Sequence, residues 1–189
     1  AEHYNTELTS LSSFLDAVVS HIPSCVLVLD GHPDGTSLCS ALASAAAETA
    51  RARGAEVKLL HLSAMQFDPN LAHGYKQRQD HEPDLQLFLD AVRWCDTFIL
   101  VHPLWWGAAP AKLKGLIDRV FLPGIAFAYE GDGHFPKKLF EGRTARVLIT
   151  ADTPPCTRSG PGTTRRWRMG CGPGRAGLKW TAAWPGAKR

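Results

Sequence analysis

Two runs of unbroken apolar residues most constrain this chain: CVLVL at Cys25 to Leu29, and FILV within TFILVH at Thr97 to His102. A strand wetted on one face alternates apolar with polar, and these do not. Runs of this length and composition belong to strands covered on both faces, inside a parallel sheet with helices on either side. Two more β-rich runs, Glu56 to His61 and Ala145 to Thr150, complete a set of four. Helical segments fall between them. Leu38 to Arg53 is Ala-rich, which permits close docking on a sheet, and Gly54 stands at a C′ position. A second begins near Glu82 and Pro83 and ends about Trp94. The third, Ala111 to Phe121, follows Pro110 at N1 and carries Leu113, Leu116, Ile117 and Val120 at i, i+3, i+4 and i+7. This order predicts an α/β fold, a doubly wound parallel sheet with right-handed crossovers.

At 189 residues the chain suits one globular domain. Its apolar runs are too short to span a bilayer. The net charge of +3 averages two unlike segments. Residues 1–155 hold 13 Lys and Arg against all 18 Asp and Glu, whereas residues 156–189 hold 8 Lys and Arg and no acid. That tail has 7 of the 17 Gly and 3 of the 6 Trp, but no Val, Ile, Phe or Tyr, so nothing in it reads as a parallel strand. The five cysteines show no CxxC and no zinc-like Cys/His spacing, so neither a disulfide framework nor a metal is expected, and a reduced, cytoplasmic setting is. Leu8 to Val19 has amphipathic helical spacing and acidic flanks, unlike a secretory signal.

Doubly wound sheets bind ligands beyond the C-terminal ends of their strands. After the first strand comes Asp30-Gly31-His32-Pro33-Asp34-Gly35-Thr36-Ser37, leading into a helix. It lacks GxGxxG and the GK(S/T) of P-loops, so neither Rossmann-type nicotinamide binding nor ATP binding is supported. What remains is a hydroxyl-rich turn at a helix N-terminus, able to hold a phosphoester through amides and hydroxyls, as a flavodoxin-like flavin site would. Read structurally, Thr36 or Ser37 is simply the N-cap. After the third strand come His102-Pro103-Leu104-Trp105-Trp106-Gly107-Ala108-Ala109-Pro110. Two tryptophans at a sheet mouth cost hydration unless covered, and a planar tricyclic ring would cover them, its polar edge within reach of the amides from Leu104 to Gly107. The blander reading is packing on a loop or a partner subunit.

The segments GHPDGTSL, HPLWWGAAPAKLKGLIDRVFLPGIAFAY and TADTPP strongly resemble the NAD(P)H:quinone oxidoreductase family, over about residues 24–155. These are flavodoxin-like flavoproteins that include the DT-diaphorase type and the ancillary oxidoreductases of bacterial potassium-efflux systems. The resemblance implies FAD or FMN as cofactor, NAD(P)H as co-substrate and ping-pong transfer to a quinone-type acceptor. It places the flavin on His32, Thr36, Ser37, Leu38 and Cys39, on Pro103, Leu104, Trp105, Trp106 and Gly107, and on Thr150, Asp152 and Thr153. It implies a homodimer in which Phe127 and Tyr129 of one chain line the other's substrate pocket. A transporter-associated regulatory subunit is the alternative in another class, with a membrane transporter as partner.

The remaining polar candidates read as structural. His61, His73, His81 and His134 lack ligand spacing and suit surface or loop roles, and Asp118 and Arg119 suit structural pairs. The long loop from Ser63 to Asp80 is a candidate rim for the pocket.

The resemblance stops after Pro155, where the family's Tyr/His stretch is unmatched and no catalytic residue can be assigned. Two segments are therefore expected: a flavodoxin-like flavin-binding domain over residues 1–155 and an atypical basic tail over 156–189, with the fifth strand missing or disrupted. The break is what a shifted reading frame in a GC-rich gene would leave; the rival is a genuine tail whose Arg165, Arg166, Trp167 and Arg168 contact nucleic acid or an acidic surface, nucleic acid being a partner the core does not call for. Loss of the fifth strand would leave the fourth as an open edge.

Overall fold

A computed structural model describes Ser13, Leu15, residues 24–129 and 136–151, and the backbone of Gly177–Thr181. The elements are β1 (Cys25–Asp30), α1 (Leu38–Ala52), β2 (Glu56–His61), α2 (Pro83–Trp94), β3 (Thr97–Pro103), α3 (Ala111–Val120), β4 (Phe127–Ala128), β5 (Lys137–Lys138), β6 (Thr144–Ala151) and β7 (Gly177–Thr181). The main sheet runs β2-β1-β3-β6-β7, and β4 and β5 form a separate antiparallel ribbon. β2, β1, β3 and β6 are mutually parallel, as the doubly wound reading expects. The strand order reverses between β1 and β3, so the loops after these two strands open the crevice in which such sheets bind ligands.

The unbroken apolarity of β1 has a direct cause. Leu27 and Leu29 face the α2/α3 layer with Leu85, Phe88, Leu113 and Leu116, while Val26 and Val28 face α1 with Leu42, Ala43 and Ala47. All four strand residues are fully buried. Gly54 ends α1 with φ +86, the left-handed C′ position expected of it. Pro110 is the N-cap of α3, one place earlier than the N1 position read from sequence, with Ala111 the first helical residue.

The edge beside β6 differs from expectation. No parallel fifth strand appears among the described residues, but β6 is not bare: β7, drawn from the basic tail, pairs with it antiparallel from Val147↔Thr181 to Ala151↔Gly177. A tail too polar to be buried on both faces can still supply an edge strand, which needs only one partner. Leu8 to Val19, apart from Leu15 and Ser13, and the stretch Arg165 to Arg168 lie outside the described residues.

Arg119 is fully buried and acts as a structural anchor. Its guanidinium donates to Glu82 Oε2 at 2.7 Å and to the carbonyls of Asp68 and Asp80, so the long 63–82 loop is tied down onto α3. His81 Nε2 donates to Arg119 O at 3.0 Å. Gly115 of α3 lies under the same loop, where an added Cβ would sit 2.6 Å from Pro69 O.

Candidate functional site

At the C-terminal end of the sheet, between the loops after β1 and β3, lies a cleft of about 180 Å³ lined by His32, Ser37, Leu38, Cys39, Pro103, Leu104, Trp105, Thr150 and Ala151. Complete small-molecule pockets run to roughly 300–1,000 Å³, so these walls make one side of a site. An edge-to-face contact between His32 and Trp105, centroids 5.3 Å apart, joins the two loops. No residue of the 63–80 loop lines this part of the site, although Ser63 packs against the β1 loop, its Oγ 3.1 Å from where a Cβ on Gly35 would be.

The loop after β1 is held by its own side chains. Asp34 accepts both the N–H and the hydroxyl of Thr36, each at 2.9 Å, and these two bonds hold the Asp34 carboxyl below its usual range. Thr36 is thereby turned from the cleft toward its own turn. Ser37 is the N-cap of α1, its hydroxyl accepting Ser40 N–H at 3.2 Å. With Ser40 so capped and Ala41 N–H bonded to Ser37 O, the first-turn amides left to the cleft are those of Leu38 and Cys39. They stand at the positive end of a 15-residue helix. Cys39 Sγ meets Thr150 Oγ1 at 3.2 Å, and burial raises its pKa, so it remains a thiol.

The loop after β3 turns more tightly than its sequence suggests. Trp105 N–H donates to Ala108 O and Ala108 N–H to Trp105 O, both at 2.9 Å. Trp106 at φ +51 and Gly107 at φ +77 form the two-residue tip, a pattern with positive φ at both central positions. Leu104 N–H goes to Thr150 O at 2.8 Å. Two of the four amides expected to face a ring edge are thus consumed by the sheet ladder and by the turn, and those of Trp106 and Gly107 remain. The Trp106 side chain is fully exposed and Trp105 is 45% exposed, an unpaid hydration cost that a flat ligand would relieve.

Of the sequence-derived candidates, the structure gathers His32, Ser37, Leu38, Cys39, Pro103, Leu104, Trp105 and Thr150 around one cleft. Thr36, Trp106 and Gly107 adjoin it without lining it. Asp152 and Thr153 lie outside the described residues. Phe127 and Tyr129 touch each other edge to face but do not line this chain's cleft; Phe127 opens β4 and Tyr129 follows it directly.

Sequence reasoning passed over Asp30. This carboxylate is fully buried beneath the loop and accepts Ser40 Oγ–H at 2.5 Å, His32 N–H at 3.1 Å and His61 Nδ1–H at 3.1 Å. His61, read as an isolated loop residue, is therefore Asp30's partner. The parallel register of the folded sheet sets Asp30 beside His61, a pairing the sequence by itself does not specify. His102 was also passed over. It is buried, and burial pushes its pKa below the usual histidine range.

The donor set suits a flavin: amides at a helix start for a phosphate, an apolar wall of Pro103, Leu104 and Trp105, and two open amides beside it. The nearby carboxylates do not oppose it strongly, since Asp34 is bonded to Thr36 and Asp30 to three donors.

A family model described as flavodoxin-like fold matches residues 24–179. Among curated proteins, an uncharacterized NAD(P)H oxidoreductase of Haemophilus influenzae is 33% identical over 128 residues, covering 66% of this chain and 62% of that protein. NAD(P)H dehydrogenase (quinone) 1 of Cavia porcellus is 30% identical over 145 residues, covering 66% and 52%. The chain spans about half to three-fifths of the length of these relatives. Among solved structures, Smu.1420 of Streptococcus mutans superposes with a TM-score of 0.58 at 32% identity, covering 68% of this chain and 69% of that one.

Proposed function

The chain belongs to the flavodoxin-like fold family, and from that premise and the cleft's geometry we propose that it is a flavin-dependent NAD(P)H oxidoreductase acting on quinone-type acceptors. The observation that carries the reading is a cleft between two loops that each keep free amides: Leu38 and Cys39 N–H line it at the start of α1, and Trp106 and Gly107 N–H adjoin it at the tip of the aromatic shelf. A bound FAD or FMN would supply the two-electron carrier between NAD(P)H and acceptor, which take turns at the same place. The chain's own part is binding and polarisation. Leu38 and Cys39 N–H would hold the phosphate, while Pro103, Leu104 and Trp105 exclude water from one face of the ring. Trp106 and Gly107 N–H would offer fixed dipoles where negative charge gathers on its polar edge. A nicotinamide that only visits that face needs no GxGxxG of its own, which accords with the loop after β1.

Phe127 and Tyr129 support a second copy of the chain as the missing wall, since Tyr129 is 68% exposed and neither residue reaches this chain's cleft. The test is one preparation read three ways. Purified protein should quench FAD or FMN fluorescence on titration, oxidise NADH or NADPH with menadione, and show twice the chain mass by light scattering. A protein that takes up neither flavin overturns the oxidoreductase reading, and a monomer that turns over normally overturns the shared pocket.

A further inference from the structure

The peptide between Pro103 and Leu104 carries the aromatic shelf, and it is held from both sides. Its carbonyl accepts a hydrogen bond from His102 Nδ1 at 2.8 Å. Its N–H donates to Thr150 O, also at 2.8 Å. A carbonyl oxygen has no hydrogen to give, so the His102 ring carries a proton on Nδ1. Thr150 in turn reaches Cys39 Sγ through its hydroxyl, which links the clamped peptide to the first turn of α1. Immediately beyond, the reciprocal bonds between Trp105 and Ala108 make the turn a rigid unit, so the Trp106 and Gly107 amides move with whatever the 103–104 plane does.

We propose that His102 is a positioning residue: by holding the Pro103 carbonyl it fixes the orientation of the Trp105–Ala108 turn, and with it the free Trp106 and Gly107 N–H groups that adjoin the cleft. It acts through the backbone and contacts neither ligand nor reacting atoms. This deepens the flavin reading and rests on it for its purpose, but the clamp exists without any ligand and can be measured without one.

His102 also fills space, since its Cβ lies 3.1 Å from where a Cβ on Gly31 would be. Two substitutions separate filling from clamping. His102→Leu keeps an apolar side chain of similar bulk and removes the donor, whereas His102→Asn returns an N–H at the distance of Nδ1. Amide hydrogen exchange read at Leu104 and Trp105 in the flavin-free protein should quicken by about fivefold or more in His102→Leu, with Tm within a few degrees of wild type. The FAD and FMN dissociation constants from fluorescence titration should rise by a similar factor, and His102→Asn should recover both. Equal exchange in wild type and His102→Leu overturns the proposal, as does an Asn variant no better than Leu, or quickened exchange with unchanged flavin affinity. Quickened exchange rescued by Asn, in a protein that takes up no flavin in any form, keeps the clamp and removes the flavin reading instead.

Discussion

Trp106 stands at φ +51, where a side chain with a Cβ pays of the order of 1–2 kcal/mol, and its ring touches solvent on all sides. Among the described residues nothing offsets that strain. Trp106→Gly should therefore leave thermal stability unchanged or raise it by up to about 1 kcal/mol, the relief of strain being partly offset by glycine's unfolded-state entropy. The same change should weaken flavin binding about tenfold, by loss of a stacking ring. A calorimetric melt with a lowered Tm would show instead that the indole packs on something within the protein. His102 is a contrasting case: burial lowers its folded pKa, so between that value and about 6.5 the unfolded chain binds more protons. Its contribution is full above about 6.5 and is lost as pH falls through the folded pKa.

At the scale of elements, α3 does two jobs: its N-terminal end follows the shelf and its body holds the 63–82 loop through Arg119 and Gly115. Gly115→Ala decides between two effects of opposite sign. Helix propensity alone favours Ala by about 1 kcal/mol. The added Cβ would meet the Pro69 backbone at 2.6 Å, and overpacking of this kind costs roughly 1–3 kcal/mol. Packing against backbone should win, so Tm should fall by a few degrees; a rise would mean that the loop yields. That anchoring was not legible in the sequence, because Arg119 reaches Glu82 across 37 positions. The four parallel strands and three helices were legible, since β1 and β3 announce two-sided burial and Gly54 marks where α1 must stop, whereas β4, β5 and β7 were not. The amide count at the shelf was not. Leu104 N–H belongs to the ladder only because β3 stays in register with β6 as far as Pro103↔Thr150, and pairing partners cannot be read from one strand.

For the molecule as a whole, a crevice beyond the C-terminal ends of the strands was expected from the alternation of strands and helices, while the buried Asp30–Ser40–His61 cluster beneath it depends on three segments meeting. The sheet's outer edge is the other feature the sequence did not announce. Removing residues 177–189 would strip β7 from β6 and present a row of unpaired N–H and C=O groups to solvent. The shortened protein should self-associate on a light-scattering column at concentrations where the full chain does not; identical profiles would mean that β7 does not guard the edge.

The direction of β7 bears on how freely the sequence before it can change. A parallel neighbour would oblige the chain to travel the whole length of the sheet and return, a journey of a dozen or more residues usually made as a helix. An antiparallel neighbour asks only for a reversal. The edge of this sheet is thus closed by a pairing that in general can be reached without the apolar periodicity a crossover helix demands.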